Sequence, residues 1–153
     1  MLEAIIRHAG NLTFVGKSNS NHWTVMDGSQ KTGADDGATR PKELLLLALG
    51  GCTAFDVEVI LRKRRIELSR FEVSVKAEEV TEHPMVFTKA ELTYRFEGDG
   101  IAVPDLERAI RLSQEKYCSV STMLRQAFPI TWKAILNGEE VLAGEEAAQA
   151  EPA

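Results

Sequence analysis

The chain has 153 residues, 44% hydrophobic and 27% charged, with a formal net charge of −5. That length and balance fit one soluble globular domain with room for a buried core. Acidity, with a pI near 5.3, argues against a nucleic-acid partner or an anionic membrane surface.

The start of the chain, Met1-Leu2-Glu3-Ala4, lacks the basic and long apolar regions of a secretory leader. Three short apolar and β-branched runs follow, LEAIIRHA, NLTFVGK and HWTVMD, separated by Gly10 and by a polar stretch from Ser18 to Asn21. They predict a meander of three antiparallel strands. Residues 28 to 40, GSQKTGADDGATR, read as a loop of a length associated with function or disorder.

Pro41 suits the first turn of a helix, where its missing N–H is not needed, and the helix is expected to run to about Arg65. Leu44 to Ala54 is apolar on every face, which predicts a stretch buried on all sides. The apolar run to Phe55 is shorter than the roughly 20 residues of a membrane span and leads into Asp56 and Glu58. No membrane partner is therefore expected, and the compartment is read as cytoplasmic. The basic end, Arg62-Lys63-Arg64-Arg65, complements the helix dipole. Gly50 and Gly51 each cost about 1 kcal/mol against Ala within a helix, so something must need a thin backbone there.

FEVSVKAEEV and FTKAELTYRFEG alternate apolar and polar residues, the pattern of half-buried strands. EHPM at 82–85 is the turn between them. Helices are expected over 103–118 and 119–128, the second ended by Pro129, and a closing strand over 130–141. Strands, buried helix, two strands, two helices and a strand make an α+β domain without a βαβ repeat. The domain is expected over 1–141, with 142–153 a disordered acidic tail.

Cys52 emerges from an apolar helix, one turn from Asp56; Cys118 lies between two helices in EKYCSVS, where Ser119 or Ser121 is placed to cap the second. A reducing compartment disfavours a permanent disulfide, so the pair are either packing thiols or chemistry. A helix N-terminus at Cys118 would favour its thiolate. His8, His22 and His83 are scattered and no metal-ligand spacing is present, so no metal and no cofactor are expected.

RPKELLLLALGGCTAFDVEVIL, followed by EKYCSVSTML with its cysteine 66 positions after the first, resembles the OsmC/Ohr family of small thiol-dependent proteins. Pro41 precedes Cys52 by eleven residues, as in the family pattern, and the likeness extends over nearly the whole chain to about Val141. The resemblance implies an intertwined homodimer with antiparallel sheets wrapped around long central helices, close approach of a partner helix at Gly50 and Gly51, and no nucleic acid or membrane. It also implies reduction of organic hydroperoxides, with Cys52 peroxidatic, Cys118 resolving, and a cellular dithiol as reductant. In the family's peroxidases, Glu follows the Pro and pairs with an Arg from an N-terminal loop. Here Lys42 stands in that place, Glu43 comes one residue late, and Arg40 is the candidate partner; Ser119 replaces a frequent Pro. These departures resemble the OsmC-like branch. They keep a second expectation beside the enzyme: a non-catalytic binding protein or redox sensor for a small apolar ligand.

Overall fold

The computed structural model describes residues 1–146. They gather into two compact units, Met1–Leu45 and the chain from Leu46 onward. In the first, β1 (Ala4–Gly10), β2 (Thr13–Ser18) and β3 (Thr24–Met26) form the expected antiparallel meander. The long loop after β3 is organised by one buried carboxylate. Asp27 accepts the N–H groups of Gly28 at 2.8 Å and Gly37 at 2.9 Å. Ile5, Ile6, Phe14 and Val25 of this sheet, and Trp23 just ahead of β3, are exposed.

Helix α1 (Glu43–Lys63) begins two residues after Pro41. Arg40 caps it: its C=O receives the N–H of Glu43 at 3.0 Å and of Leu44 at 3.3 Å. Its own N–H goes back to the Glu43 carboxylate at 3.0 Å, the reciprocal half of a capping box. Burial on all sides is not what the chain provides. Leu49, Gly50, Thr53, Val57 and Leu61 form one buried stripe, whereas Leu47 and Phe55 stand 61% and 71% exposed. A single sheet has only one face to offer a helix, so it covers one stripe and leaves the other bare. Length and composition alone would let α1 cross a membrane, yet Leu49, Val57 and Leu61 belong to the protein's core.

The sheet of the second unit has the order β4-β5-β6-β7, from β4 (Arg70–Glu79), β5 (Phe87–Glu97), β6 (Ile130–Leu136) and β7 (Glu139–Glu146). The β4–β5 and β6–β7 pairs are antiparallel, but β5 and β6 run parallel. The expectation of purely antiparallel sheets is corrected here. The helical segment between β5 and β6 is a crossover, which returns the chain in the same direction. The closing strand is also two strands. Asn137 and Gly138, with φ of 50° and 88°, make the Asn-Gly hairpin turn that right-twisted strands favour. Residues 142–146, expected in a disordered tail, are thus part of β7; residues 147–153 lie outside the described residues. Gly144 sits beneath the Trp132 ring, where a Cβ would fall 2.5 Å from the indole.

The crossover departs from its expected form as well. Helix α2 (Val103–Leu112) carries Leu106, Ala109 and Ile110 into the core, then widens into a π turn over Ser113–Tyr117 before α3 (Ser119–Leu124). These residues join Leu92, Tyr94 and Phe96 of β5 and Ile130 and Trp132 of β6 in one cluster. Each large apolar side chain there contributes about 1.5–3 kcal/mol by burial.

Candidate active site

Cys52 projects from the middle of α1, and Cys118 follows the π turn. Their two Sγ atoms and a carboxylate oxygen of Asp56 lie within 4.8 Å of one another. Positions 66 apart in sequence are thus brought together by packing α2 and its extension against α1. The two sulfurs differ in kind: Cys52 is half-buried and Cys118 is buried. Asp56 shares the Cys52 face because it lies four residues on, one helical turn away.

The π turn makes this geometry. One extra residue per turn takes the backbone out of α2, and the Cys118 N–H closes on the Ser113 C=O at 2.8 Å. Cys118 then becomes the N-cap of α3, its sulfur accepting from Ser121 N–H at 3.4 Å and Ser121 Oγ–H at 3.1 Å. A serine cap was expected, and the cysteine itself serves. Arg125, buried, locks both sides of the turn. Its guanidinium donates to the Gln114 C=O and, through Nε at 3.3 Å, to the Ser121 C=O.

The expected thiolate at Cys118 is overturned. Burial raises its pKa to about 11, against the lowering effect of the Ser121 hydrogen bonds, and the Cys52 sulfur adds to the rise. Loss of hydration outweighs a six-residue helix's dipole and two weak sulfur hydrogen bonds. Asp56 is also raised from its ordinary value, by burial first, with the Ser113 hydrogen bond opposing.

Beneath the sulfurs lies a polar network absent from the sequence reading. Ser113 Oγ–H donates to Asp56 Oδ2 at 3.2 Å, and Thr53 Oγ1 meets Ser113 Oγ at 2.9 Å and Tyr94 OH at 2.6 Å. Gln114 Nε2 donates to Thr53 Oγ1 at 3.0 Å and to Tyr94 OH at 2.8 Å. Thr53, Ser113 and Gln114 are buried polar residues, and their only signal in sequence was a hydroxyl or amide where the helix patterns call for apolar side chains. Asp56 also lines an opening of about 320 Å³ with Phe55, Val59, Ile60, Leu112 and Tyr117, rimmed by Lys63, Arg64 and Arg108.

The other candidates have local roles. Arg40 lies 2.9 Å from Asp36 and 3.5 Å from Glu43, and the Asp36 hydrogen bond holds its charged form. An Arg–Glu pair therefore exists, built by the helix cap. Lys42 is half-buried in the turn ahead of α1. Gly50 faces the chain's own sheet: a Cβ there would lie 2.9 Å from Val75 Cγ2. Gly51 is exposed, with nothing within 4 Å of a Cβ. Among the described residues, Cys52, Asp56 and Cys118 form the one group of three metal-ligating side chains, and no histidine joins it. Two thiols and a carboxylate are a donor set zinc accepts, and the Cys118 sulfur is already engaged by the Ser121 N–H and Oγ–H.

A sequence profile for the family described as OsmC-like protein matches residues 33–133. Protein YhfA of Escherichia coli is 39% identical over 130 residues, covering 85% of this chain and 94% of its own. A hypothetical protein from Aquifex aeolicus superposes with a TM-score of 0.74 at 28% identity, over 90% of this chain and 98% of its own. An organic hydroperoxide resistance protein OsmC from Legionella pneumophila shares the fold, with a TM-score of 0.65 at 14% identity over 88% and 96% of the two chains. With the profile spanning most of the chain and YhfA matched along nearly its full length, the protein belongs to the OsmC-like family.

Proposed function

We propose that the protein is a thiol-dependent peroxidase that reduces organic hydroperoxides to alcohols. The observation that carries this reading is the placement of a half-buried and a buried sulfur within 4.8 Å. Cys52, the accessible one, attacks the terminal peroxide oxygen as thiolate. An S–O bond forms, the O–O bond breaks, and the alkoxide leaves with a proton as alcohol, giving a Cys52 sulfenic acid. Cys118 then attacks that sulfur, expelling water and forming a disulfide, which a cellular dithiol reduces by exchange. The sulfurs need only close to about 2.05 Å.

The exposed Leu47, Gly51 and Phe55 of α1 are the surface a second copy would cover, so the working form is a homodimer in the cytoplasm. A second reading rests on the 320 Å³ opening with its Phe55, Val59, Ile60 and Leu112 walls: a non-catalytic protein that holds a small apolar ligand, its cysteines acting as a redox sensor. Consumption of cumene hydroperoxide with a dithiol reductant separates the two. The enzyme turns over repeatedly, Cys52→Ser is inactive, and Cys118→Ser accumulates sulfenic acid. Undiminished turnover by Cys52→Ser, or none by the unaltered protein, removes the peroxidase reading.

A further inference from the structure

Both half-reactions move a proton away from a thiol and onto a leaving oxygen. A Cys52 thiol must lose its proton before attack, and the departing alkoxide must gain one. Cys118 must likewise lose its proton while hydroxide leaves as water. One carboxylate, Asp56, lies within 4.8 Å of both sulfurs. It also lines the opening walled by Phe55, Val59, Ile60 and Leu112.

The network under Asp56 is oriented to keep it an acceptor. Ser113 spends its single hydroxyl hydrogen on Asp56 Oδ2, so the hydrogen between Thr53 and Ser113 must come from Thr53. The hydrogen between Tyr94 and Thr53 must then come from Tyr94. Gln114 Nε2 fills the remaining lone pairs of Thr53 and Tyr94. With Asp56 ionised, every hydrogen of this chain has an acceptor, so the network supports Oδ2 as an acceptor. The same Ser113 receives the Cys118 N–H on its carbonyl, which ties the carboxylate and the second sulfur to one residue.

We infer that Asp56 is the proton carrier of this site, taking the proton of each attacking thiol and returning it to the leaving oxygen. The inference rests on the thiol chemistry proposed above and assigns its acid–base group. In the first step the Cys52 proton passes to Asp56 and then to the alkoxide; in the second, the Cys118 proton passes to Asp56 and then to hydroxide. The carboxylate ends each step as it began. A buried thiol titrating near 11 holds on the order of one thiolate in ten thousand at pH 7, so Cys118 needs a base at hand. The groups facing Asp56 are Cys52 from α1, Cys118 and Ser113 from the crossover, and Tyr94 of β5 through Thr53. Lys63, Arg64 and Arg108, with Tyr117, rim its opening; Arg64 is paired with Asp105.

The test uses 5,5′-dithiobis(2-nitrobenzoate), which reports on the base without any peroxide. Cys52 attacks the reagent and releases the first thionitrobenzoate. Cys118 then displaces the second in a phase independent of reagent concentration, forming the protein disulfide and giving up its proton. Asp56→Asn is expected to slow that second phase at pH 7 by at least about tenfold, at the low end of general-base effects. It should also turn its pH profile into a tenfold rise per unit toward the ionisation of Cys118. Asp56→Glu should retain the base-assisted profile. Ser113→Ala, which removes a hydrogen bond that favours the carboxylate, should move the acid limb of the profile to higher pH. A purely structural role would change thermal stability and leave the slope with pH unaltered. A second phase in Asp56→Asn with the rate and pH profile of the unaltered protein overturns the inference. If the protein fails to reduce cumene hydroperoxide while this phase still depends on Asp56, the peroxidase reading falls and the proton carrier stands.

Discussion

Alanine at each of the paired glycines of α1 has opposite expected consequences. In a helix interior, Gly→Ala stabilises by about 1 kcal/mol. At Gly51 the new methyl meets nothing within 4 Å, so the gain is realised in the isolated chain and raises Tm by about 2–4 °C for a domain of this size. At Gly50 the methyl would fall 2.9 Å from Val75 Cγ2, well inside the ordinary separation of about 3.5–4.0 Å. Overpacking of that kind costs about 1–3 kcal/mol. Net of the propensity gain, Gly50→Ala should destabilise by about 0–2 kcal/mol and lie below Gly51→Ala in every case. Thermal unfolding followed by circular dichroism measures both, and adding Val75→Ala isolates the contact: Gly50→Ala should cost less in that background, with a coupling of about 0.5–3 kcal/mol. A series in protein concentration shows whether a second copy covers Gly51, because the methyl would then weaken association. Gly50→Ala as stable as Gly51→Ala, with no coupling to Val75, would refute the close approach of α1 to β4.

Thr53→Val removes a buried hydroxyl shared by Tyr94, Ser113 and Gln114 and should cost about 1–3 kcal/mol, read from urea unfolding; an unchanged midpoint contradicts the network. In a Cys52→Ser background, alkylation of Cys118 by iodoacetamide should be slow at pH 8 and rise with a midpoint near 11, somewhat modified by loss of the neighbouring sulfur. A midpoint at the free-thiol value would contradict its burial. Because the Cys118 pKa is raised on folding, its contribution to stability is complete below the unfolded thiol's pKa and declines as pH rises through about 11. Asp56, also raised by burial, acts with the same sign, the reverse of the usual ion-paired carboxylate. Its charge opposes folding above the unfolded pKa, so Asp56→Asn should raise Tm at pH 7 and lose that advantage in acid.

Local patterning made the elements legible. The alternation of Phe71, Val73 and Val75, and the Leu106 to Ile110 spacing, led directly to β4 and α2. The Pro41-to-Cys52 interval and the later cysteine pointed to the pairing that the structure brings within 4.8 Å. What escaped was decided by tertiary context. Nothing in Ser113 or Gln114 announces a π turn, which exists because Ser113 C=O, Arg125 and Ser121 hold the backbone open around Cys118. The parallel β5–β6 pairing depends on where a crossover returns. The Asn137-Gly138 turn is written in the sequence as an Asn-Gly pair inside an otherwise strand-like run. The thiolate expected at Cys118 failed because burial outweighs dipole, and burial of one side chain is not written in its neighbours.

The most direct measurement is mass mapping of the reduced protein after one equivalent of cumene hydroperoxide. Loss of two hydrogens, with a single crosslinked peptide pair joining Cys52 to Cys118, is the predicted result. Both thiols intact, or Cys52 carried on to sulfinic acid with Cys118 still free, would contradict the pairing on which the chemistry depends.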